Sequence, residues 1–315
     1  MTGESPAKPK AKSLPLIAVV GPTASGKTAL AVEIALRFGG EVINTDSMQV
    51  YRHLDIGTGK PSPSQRQGVV HHLLDTVNPD ESYSAGQYVK QAGVVIDSLQ
   101  AQGRPAILCG GTGLYFRALV EGLASIPPIP PAVRREAGEM IRRLGPVEAH
   151  AALARLDPVT AARLNPNDTQ RVGRGLEVVL ATGRGLTDFH NLGLVGQRPE
   201  PVVWVGIRWP REDLYRRINR RVEIMLEAGW VEEVRQVAAR YSFKAKPLQA
   251  IGYREVGRYL TGSLPKDQLA PAITQRTRQY AKRQITWFGR NPKIYWAPPD
   301  RTGDIPEFLA PHLMV

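Results

Sequence analysis

An α/β fold, a parallel sheet flanked by helices with an all-helical insertion, follows from three observations. Short apolar runs that read as buried strands alternate with longer runs of helical spacing. A complete G-x-x-x-x-G-K-[ST] loop, Gly21-Pro22-Thr23-Ala24-Ser25-Gly26-Lys27-Thr28, sits between the first strand and the first helix. From Ala132 to about Arg184 strand signals are absent, and strand pattern returns only at residue 201.

The elements justify this in order. Residues 1–13 are polar, repeat Pro and Lys, and read as a disordered tail without the apolar core of a signal peptide. Leu14 to Val20 reads as a buried strand, and Thr28 to Phe38 as a helix with Leu30, Ile34 and Phe38 on one face. The loop between them is a P-loop, so the sheet is expected to be P-loop NTPase-like. Its backbone N–H groups and the helix N-terminus would cradle phosphates, with Lys27 on the outer phosphate and Thr28 on Mg²⁺. Glu41 to Thr45 is a second strand that ends on Asp46, at the edge where ligands bind in open α/β sheets. Asp46 suits a metal-holding residue, a general base or a plain helix cap. Tyr51 to Ser64 reads as a loop. His71 and His72, adjacent in a strand, point to opposite faces and read as structural. Tyr83 to Gln100 reads as a helix, and Ala106 to Cys109 as a strand delivering Gly110-Gly111-Thr112-Gly113 to the same edge. Those glycines permit close approach, and Thr112 offers a hydroxyl to a phosphate or a base.

Leu114 to Glu121 continues as helix, and Ser125 to Pro131 is a stiff Pro-rich linker. The helical insertion has breaks at Gly145-Pro146, Asp157-Pro158 and Asn165-Pro166. Pro201 to Ile207 rejoins the sheet, and Leu214 to Val237 reads as one long amphipathic helix with Leu214, Ile218, Val222 and Met225 inward. The expected organisation is a core of residues 14–122 and 200–300 interrupted by an insertion of residues 123–199, with residues 301–315 as a tail.

Composition adds a partner class. Lys and Arg number 41 against 29 Asp and Glu, a net charge of +12, which fits a polyanionic partner. Residues 268–299 hold six basic residues and no acid, with Tyr280, Trp287, Phe288, Tyr295 and Trp296 among them. Such a mixture suits RNA, although Trp287, Phe288 and Tyr295 read better as core. A single cysteine, Cys109, excludes an internal disulfide and a cysteine-based zinc site. With no apolar stretch of membrane-spanning length, a monomeric cytoplasmic protein with no membrane partner is expected.

Several stretches together resemble the tRNA dimethylallyltransferase (isopentenyl-tRNA transferase) family of bacterial type: GPTASGKT at 21–28, DSMQVYRHLDIGTGKPS at 46–62, HHLLD at 71–75, GGTGLY at 110–115, LNPNDTQRVGRGLEV at 164–178, IGYRE at 251–255 and TRQYAKRQITWF at 277–288. Gly59 stands where that family usually has Ala. The resemblance implies a prenyltransferase that moves a dimethylallyl group from dimethylallyl diphosphate, its co-substrate, to the exocyclic amine of the adenosine 3′ of the tRNA anticodon. It implies Asp46 as base, Thr112 at the reaction centre, Lys27 and Mg²⁺ on the departing diphosphate, and Arg217 or Arg221 as a clamp, Arg217 preferred. The diphosphate would rest on Gly21, Thr23, Ala24, Ser25, Gly26, Lys27, Thr28, Arg217 and Arg221. RNA contacts would come from Asp46, Ser47, Met48, Gln49, Thr112, Arg134, Gln170, Arg171, Val172, Gly173, Arg174, Gln249, Gly252, Tyr253, Arg254, Lys282, Arg283 and Gln284, with the insertion against the anticodon stem-loop. Two rivals share the loop. An ATP-binding small-molecule kinase would need a phosphoryl acceptor, and a prenyltransferase of free adenine nucleotides would not require the basic segments.

Overall fold

The computed structural model describes residues 14–198 and 201–313; the expected tail at residues 1–13 and the expected boundary at 199 and 200 lie outside them. The chain divides into two compact units, Met1–Val120 with Arg198–Val315, and Glu121–Gln197.

In the first unit, β1 (Leu16–Val20), α1 (Lys27–Phe38), β2 (Glu41–Asn44), α2 (Pro63–Arg66), β3 (His71–His72), α3 (Ala85–Ala101), β4 (Ala106–Gly110) and α4 (Gly113–Val120) follow one another. The second unit contains β5 (Leu123–Ala124), α5 (Pro131–Leu156), α6 (Pro158–Ala161), α7 (Thr169–Thr182), α8 (Leu186–Asn191) and β6 (Leu194–Val195). The first then resumes with β7 (Val202–Ile207), α9 (Arg211–Glu227), α10 (Trp230–Tyr241), α11 (Tyr253–Leu260), α12 (Lys266–Phe288), β8 (Ile294–Ala297) and α13 (Asp304–Leu313).

The six strands of the first unit form one parallel sheet in the order β3-β2-β4-β1-β7-β8. Alternation along β1 feeds two cores: Leu16, Ala18 and Val20 pack with Tyr88, Leu108 and Phe116, whereas Ile17 and Val19 pack with Leu30, Ile34 and Ile107. The register pairs Val20 with Gly110 and Asn44 with Cys109, so the three central strands end level. That is what brings Gly21, Asp46 and Gly111 to one edge.

Three elements differ from the sequence reading. The helix expected over Leu214 to Val237 is two, because Gly229 adopts φ 98° and α10 starts anew at Trp230. Its apolar spacing runs through the break, so periodicity alone does not show it. Residues 301–315 were expected as a tail, yet α13 buries Ile305 and Leu309 completely against the core that contains Ile17 and Leu30. In the second unit, the expected break at Gly145-Pro146 is present, as a kink at which Gly145 leaves helical geometry with φ 79° between two helical stretches of α5. That unit also holds an antiparallel ribbon, Leu123 opposite Val195 and Ala124 opposite Leu194, too short for a periodic signal. Among the described residues no helix is long and apolar enough to cross a membrane.

Replacing Leu309 by Ala tests the role of α13. Deleting a buried Leu side chain should lower unfolding free energy by about 2–4 kcal/mol in urea denaturation, whereas a loose tail would tolerate the change within about 0.5 kcal/mol.

Candidate active site

The Gly21–Thr28 loop turns on positive φ at Gly21 (145°), Ala24 (64°) and Gly26 (97°), and α1 begins directly at Lys27. Lys27 Nζ donates to the Pro22 carbonyl at 3.2 Å. Burial pushes its pKa below the ordinary 10.5; Cys109 and Asp46 oppose the shift and Arg221 adds to it. Arg221, on α9, is likewise depressed by burial, with Asp46 acting against the shift and Arg217 with it. Burial pushes the Cys109 thiol up to about 12, so it stays a neutral thiol behind the loop.

Two cavities meet here. The larger, about 320 Å³, is walled by Met48, Ile218, Val222, Met225, Trp230 and Tyr253, with Lys27, Asp46 and Arg221 also in its lining. The smaller, about 40 Å³, is lined by Lys27, Thr28, Asn44, Asp46, His71 and Arg221 among others. Asp46 is the one carboxylate in either lining. Its Oδ1 accepts the Met48 N–H at 2.9 Å, so the plain capping role is made by one oxygen of the same group.

The neighbouring loops are tied to each other through side chains. Thr112 Oγ1 accepts the Ser47 N–H at 2.9 Å and donates to Ser47 Oγ at 3.2 Å, joining the β4 loop to the β2 loop. Gln284, on α12 and 5 % exposed, accepts the Thr23 N–H at 2.9 Å and donates to the Gly111 carbonyl at 3.0 Å. A Cβ on Gly111 would collide with Gln284, one on Gly113 with the Trp287 indole, and one on Gly110 with the Thr45 backbone. The glycines of this loop are therefore required by a close-packed helix and strand. His72 binds Glu41 at 2.5 Å while His71 turns the other way, its Nδ1 3.0 Å from the Val69 carbonyl, as adjacent strand residues must.

This chain resembles known proteins over nearly its whole length. The profile described as IPP transferase matches residues 49–291. The chain belongs to the IPP transferase family. Among its relatives, the tRNA dimethylallyltransferase of Geobacter sulfurreducens is 47% identical over 282 residues, 89% of this chain and 91% of that one. The tRNA dimethylallyltransferase 2 of Geotalea uraniireducens is 45% identical with the same shares. Among solved structures, the full-length tRNA isopentenylpyrophosphate transferase of Bacillus halodurans matches with a TM-score of 0.70 at 36% identity, covering 95% of this chain and 97% of that one. A eukaryotic dimethylallyltransferase described as acting on tRNA matches with a TM-score of 0.80 at 28% identity, covering 95% of this chain and 78% of that one.

Within this IPP transferase, the expected site residues separate into groups. Thr23, Ala24, Lys27, Thr28, Asp46, Ser47, Met48, Gln49 and Arg221 line one or both cavities, and Arg283 joins the larger as an exposed residue. Arg217, the preferred clamp, is exposed; its Nε donates to the Ala24 carbonyl at 2.8 Å and its guanidinium lies over Trp209, 4.3 Å from the ring centre. Arg221, one turn later, is the arginine inside. Arg134, Gln170, Arg171, Gln249, Arg254 and Lys282 are exposed. Two residues expected as RNA contacts are instead packed, Val172 in the core of the second unit and Gly252 against Trp230, whereas Tyr253 and Gln284 are buried and also line the larger cavity. Trp230 and Glu233 carry site geometry that the sequence reading passed over. A tryptophan directly after a helix-breaking glycine was the available signal for the first.

If Gln284 is a brace, Gln284→Ala leaves a buried N–H and a buried C=O unpaired. It should cost about 1–3 kcal/mol of stability in a denaturant titration, with the salt slope of RNA binding unchanged.

Proposed function

We propose that this chain transfers the dimethylallyl group of dimethylallyl diphosphate to the exocyclic amine of the adenosine 3′ of the tRNA anticodon, releasing diphosphate. One observation carries the reading: Lys27, Asp46 and Arg221 line both cavities, and the larger one extends from them along a wall of Ile218, Val222, Met225 and Trp230. An allylic diphosphate has the matching polarity, a polyanionic end and a hydrocarbon end. A phosphoryl acceptor, as a kinase requires, has no use for a wall of Ile218, Val222, Met225 and Trp230.

In the proposed reaction the allylic C–O bond breaks and its electron pair goes to the diphosphate oxygen. The amine nitrogen forms the new C–N bond with its lone pair, and its proton passes to the Asp46 carboxylate. The amine is a poor nucleophile because its lone pair is delocalised into the adenine ring, so proton removal must accompany attack. Lys27 and Arg221, both desolvated, meet the charge that grows on the leaving group, an interaction stronger in the transition state than before it. Thr112 holds Ser47, the residue after the base, in place.

A magnesium ion fits this site. Among the described residues no group of three or more His, Cys, Asp or Glu is placed to hold a metal, but magnesium keeps several waters and uses one or two protein oxygens with substrate phosphates. Thr28 lines the smaller cavity and would hold the ion. The ion would neutralise diphosphate charge.

The target adenosine must leave its stack to reach the cavity. Exposed Lys282 and Arg283 on α12, with Arg134, Gln170, Arg171 and Arg174 of the second unit, supply cations and donors for the anticodon stem-loop. Arg171 and Arg174 are paired with Asp168 and Glu177 at 2.5 and 3.0 Å, exchangeable pairs on a helix surface.

Incubation with labelled dimethylallyl diphosphate and either unmodified tRNA or free AMP, followed by digestion, should yield prenylated adenosine from the tRNA alone. ATP consumption without prenyl transfer would reject the reading. Asp46→Ala should lower the single-turnover rate about a hundredfold or more with tRNA affinity nearly unchanged; a normal rate with lost affinity would remove Asp46 as base.

The Lys27 shift gives a pH dependence. The ammonium binds the anion, and burial makes it lose its proton below 10.5. As pH rises, kcat/KM for the donor should therefore fall earlier than an ordinary lysine would dictate. Bound diphosphate stabilises the ammonium, so kcat should fall at higher pH than kcat/KM. Lys27→Arg, charged throughout, should show a lower plateau without this alkaline limb.

A further inference from the structure

We propose that Glu233 is a positioning residue that fixes the wall of the donor cavity and so sets the size of prenyl group the site accepts. The proposal rests on the prenyl-transfer reading above.

The loop that follows Leu54 reaches the cavity with Gly57 and Thr58. Three of its successive N–H groups converge on one side chain. Glu233 Oε2 accepts from Asp55 at 2.7 Å and Ile56 at 2.6 Å, and Oε1 accepts from Gly57 at 3.1 Å. The Tyr253 hydroxyl donates to the same Oε1 at 2.7 Å. Successive N–H groups turned to one point form an anion nest, and here the anion is the protein's own carboxylate. Charge-assisted bonds of this kind are stronger than neutral ones.

The rest of the loop is anchored elsewhere. Lys60 Nζ, on a side chain only 4 % exposed, donates to the Tyr51 carbonyl at 2.9 Å and to Asp55 and Asp75 at 2.5 and 2.6 Å. Gln49 Nε2 donates to the Thr58 and Gly59 carbonyls at 3.2 Å. Gly57 is the point held by Glu233, and it is also where the loop meets the cavity wall. A Cβ there would collide with Trp230 Nε1 and lie 2.6 Å from Tyr253 Cζ; one on Gly252 would collide with the far edge of the same indole. Trp230 is thus gripped between two glycines. Glu233 lies three residues after Trp230 on α10, on the same side of the helix. It holds both Gly57 and Tyr253 against that ring. Without the carboxylate, the loop has no partner for three N–H groups, and Gly57 is free to move off the indole. The apolar end of the cavity then widens.

The test measures kcat and KM with unmodified tRNA and two donors, dimethylallyl and geranyl diphosphate. Glu233→Ala should raise the dimethylallyl KM about tenfold or more, keep kcat within about threefold and leave the tRNA KM unchanged. It should also cut the preference for dimethylallyl over geranyl donor, as the ratio of kcat/KM values, by about tenfold. Glu233→Gln keeps the side-chain shape and one acceptor oxygen and should fall between. Tyr253→Phe removes one of the four donors and should shift donor KM in the same direction by a few-fold; these two variants carry the test if Glu233→Ala does not fold. Active wild-type enzyme with donor KM and donor ratio unchanged in the variants overturns the role of Glu233 alone. A fall in kcat with both KM values unchanged overturns it as well. Wild-type enzyme inert toward tRNA with both donors overturns the prenyl-transfer reading and this role together.

Discussion

Two partly buried cations that share a single carboxylate neighbour are the constraint around which the sheet edge is built. Lys27 and Arg221 are each depressed first by burial, and each is partly restored by Asp46. One carboxylate does not neutralise two cations, so the site carries uncompensated positive charge in a place where solvent screens it poorly. Such a site favours a polyanion strongly and costs the fold stability in its absence. The fold must therefore prevent the relaxation that would let either side chain swing out to water. Lys27 is fixed as the first residue of α1, and Arg221 is fixed by α9, with Gly59 leaving the space that its guanidinium fills.

Loops rich in glycine would not hold that arrangement by themselves, since glycine loses the most backbone freedom on ordering. Each is tied by a side chain from a distant helix. Gln284 of α12 joins the phosphate-loop backbone to the β4 loop, and Glu233 of α10 gathers the N–H groups after Leu54. Thr112 joins the β4 loop to the Asp46 turn. In every case a backbone group that would otherwise sit unpaired at a partly buried edge finds a side-chain partner, so the ties satisfy polar groups and position the site together.

The pattern of what the sequence disclosed follows from this division. Local chemistry was legible: the phosphate loop between β1 and α1, the strand ending on Asp46, and the return of strand pattern at residue 201 each depend on neighbours in the chain. Relations between elements set by tertiary packing were not. Gly111 and Gly113 look like glycines freeing a loop for phosphate, and only the packing of Gln284 and Trp287 reveals what occupies the missing Cβ positions. Gln284 and Tyr253 stand in motifs rich in basic or polar residues, so they read as surface, yet their polar atoms meet loop backbone and Glu233 inside the protein. Arg217 and Arg221 share a helix face and a residue type; burial distinguishes them, and burial is a tertiary property.

The shared position of Asp46 gives the proposed chemistry its order. Lys27 and Arg221 are in place in the protein alone, so charge leaving with the diphosphate in the proposed reaction would meet cations that need not reorganise. In the proposed reaction the carbon from which that charge departs lies toward Ile218, Val222 and Trp230 of the larger cavity, and an allylic cation developing there would gain nothing from nearby Lys27 or Arg221. It gains from a carboxylate. Asp46, the only acid in either lining, therefore stands where it can oppose the positive carbon while accepting the proton of the incoming amine. Its hydrogen bond from the Met48 N–H fixes one oxygen and leaves the carboxylate aimed by backbone rather than by a mobile side chain.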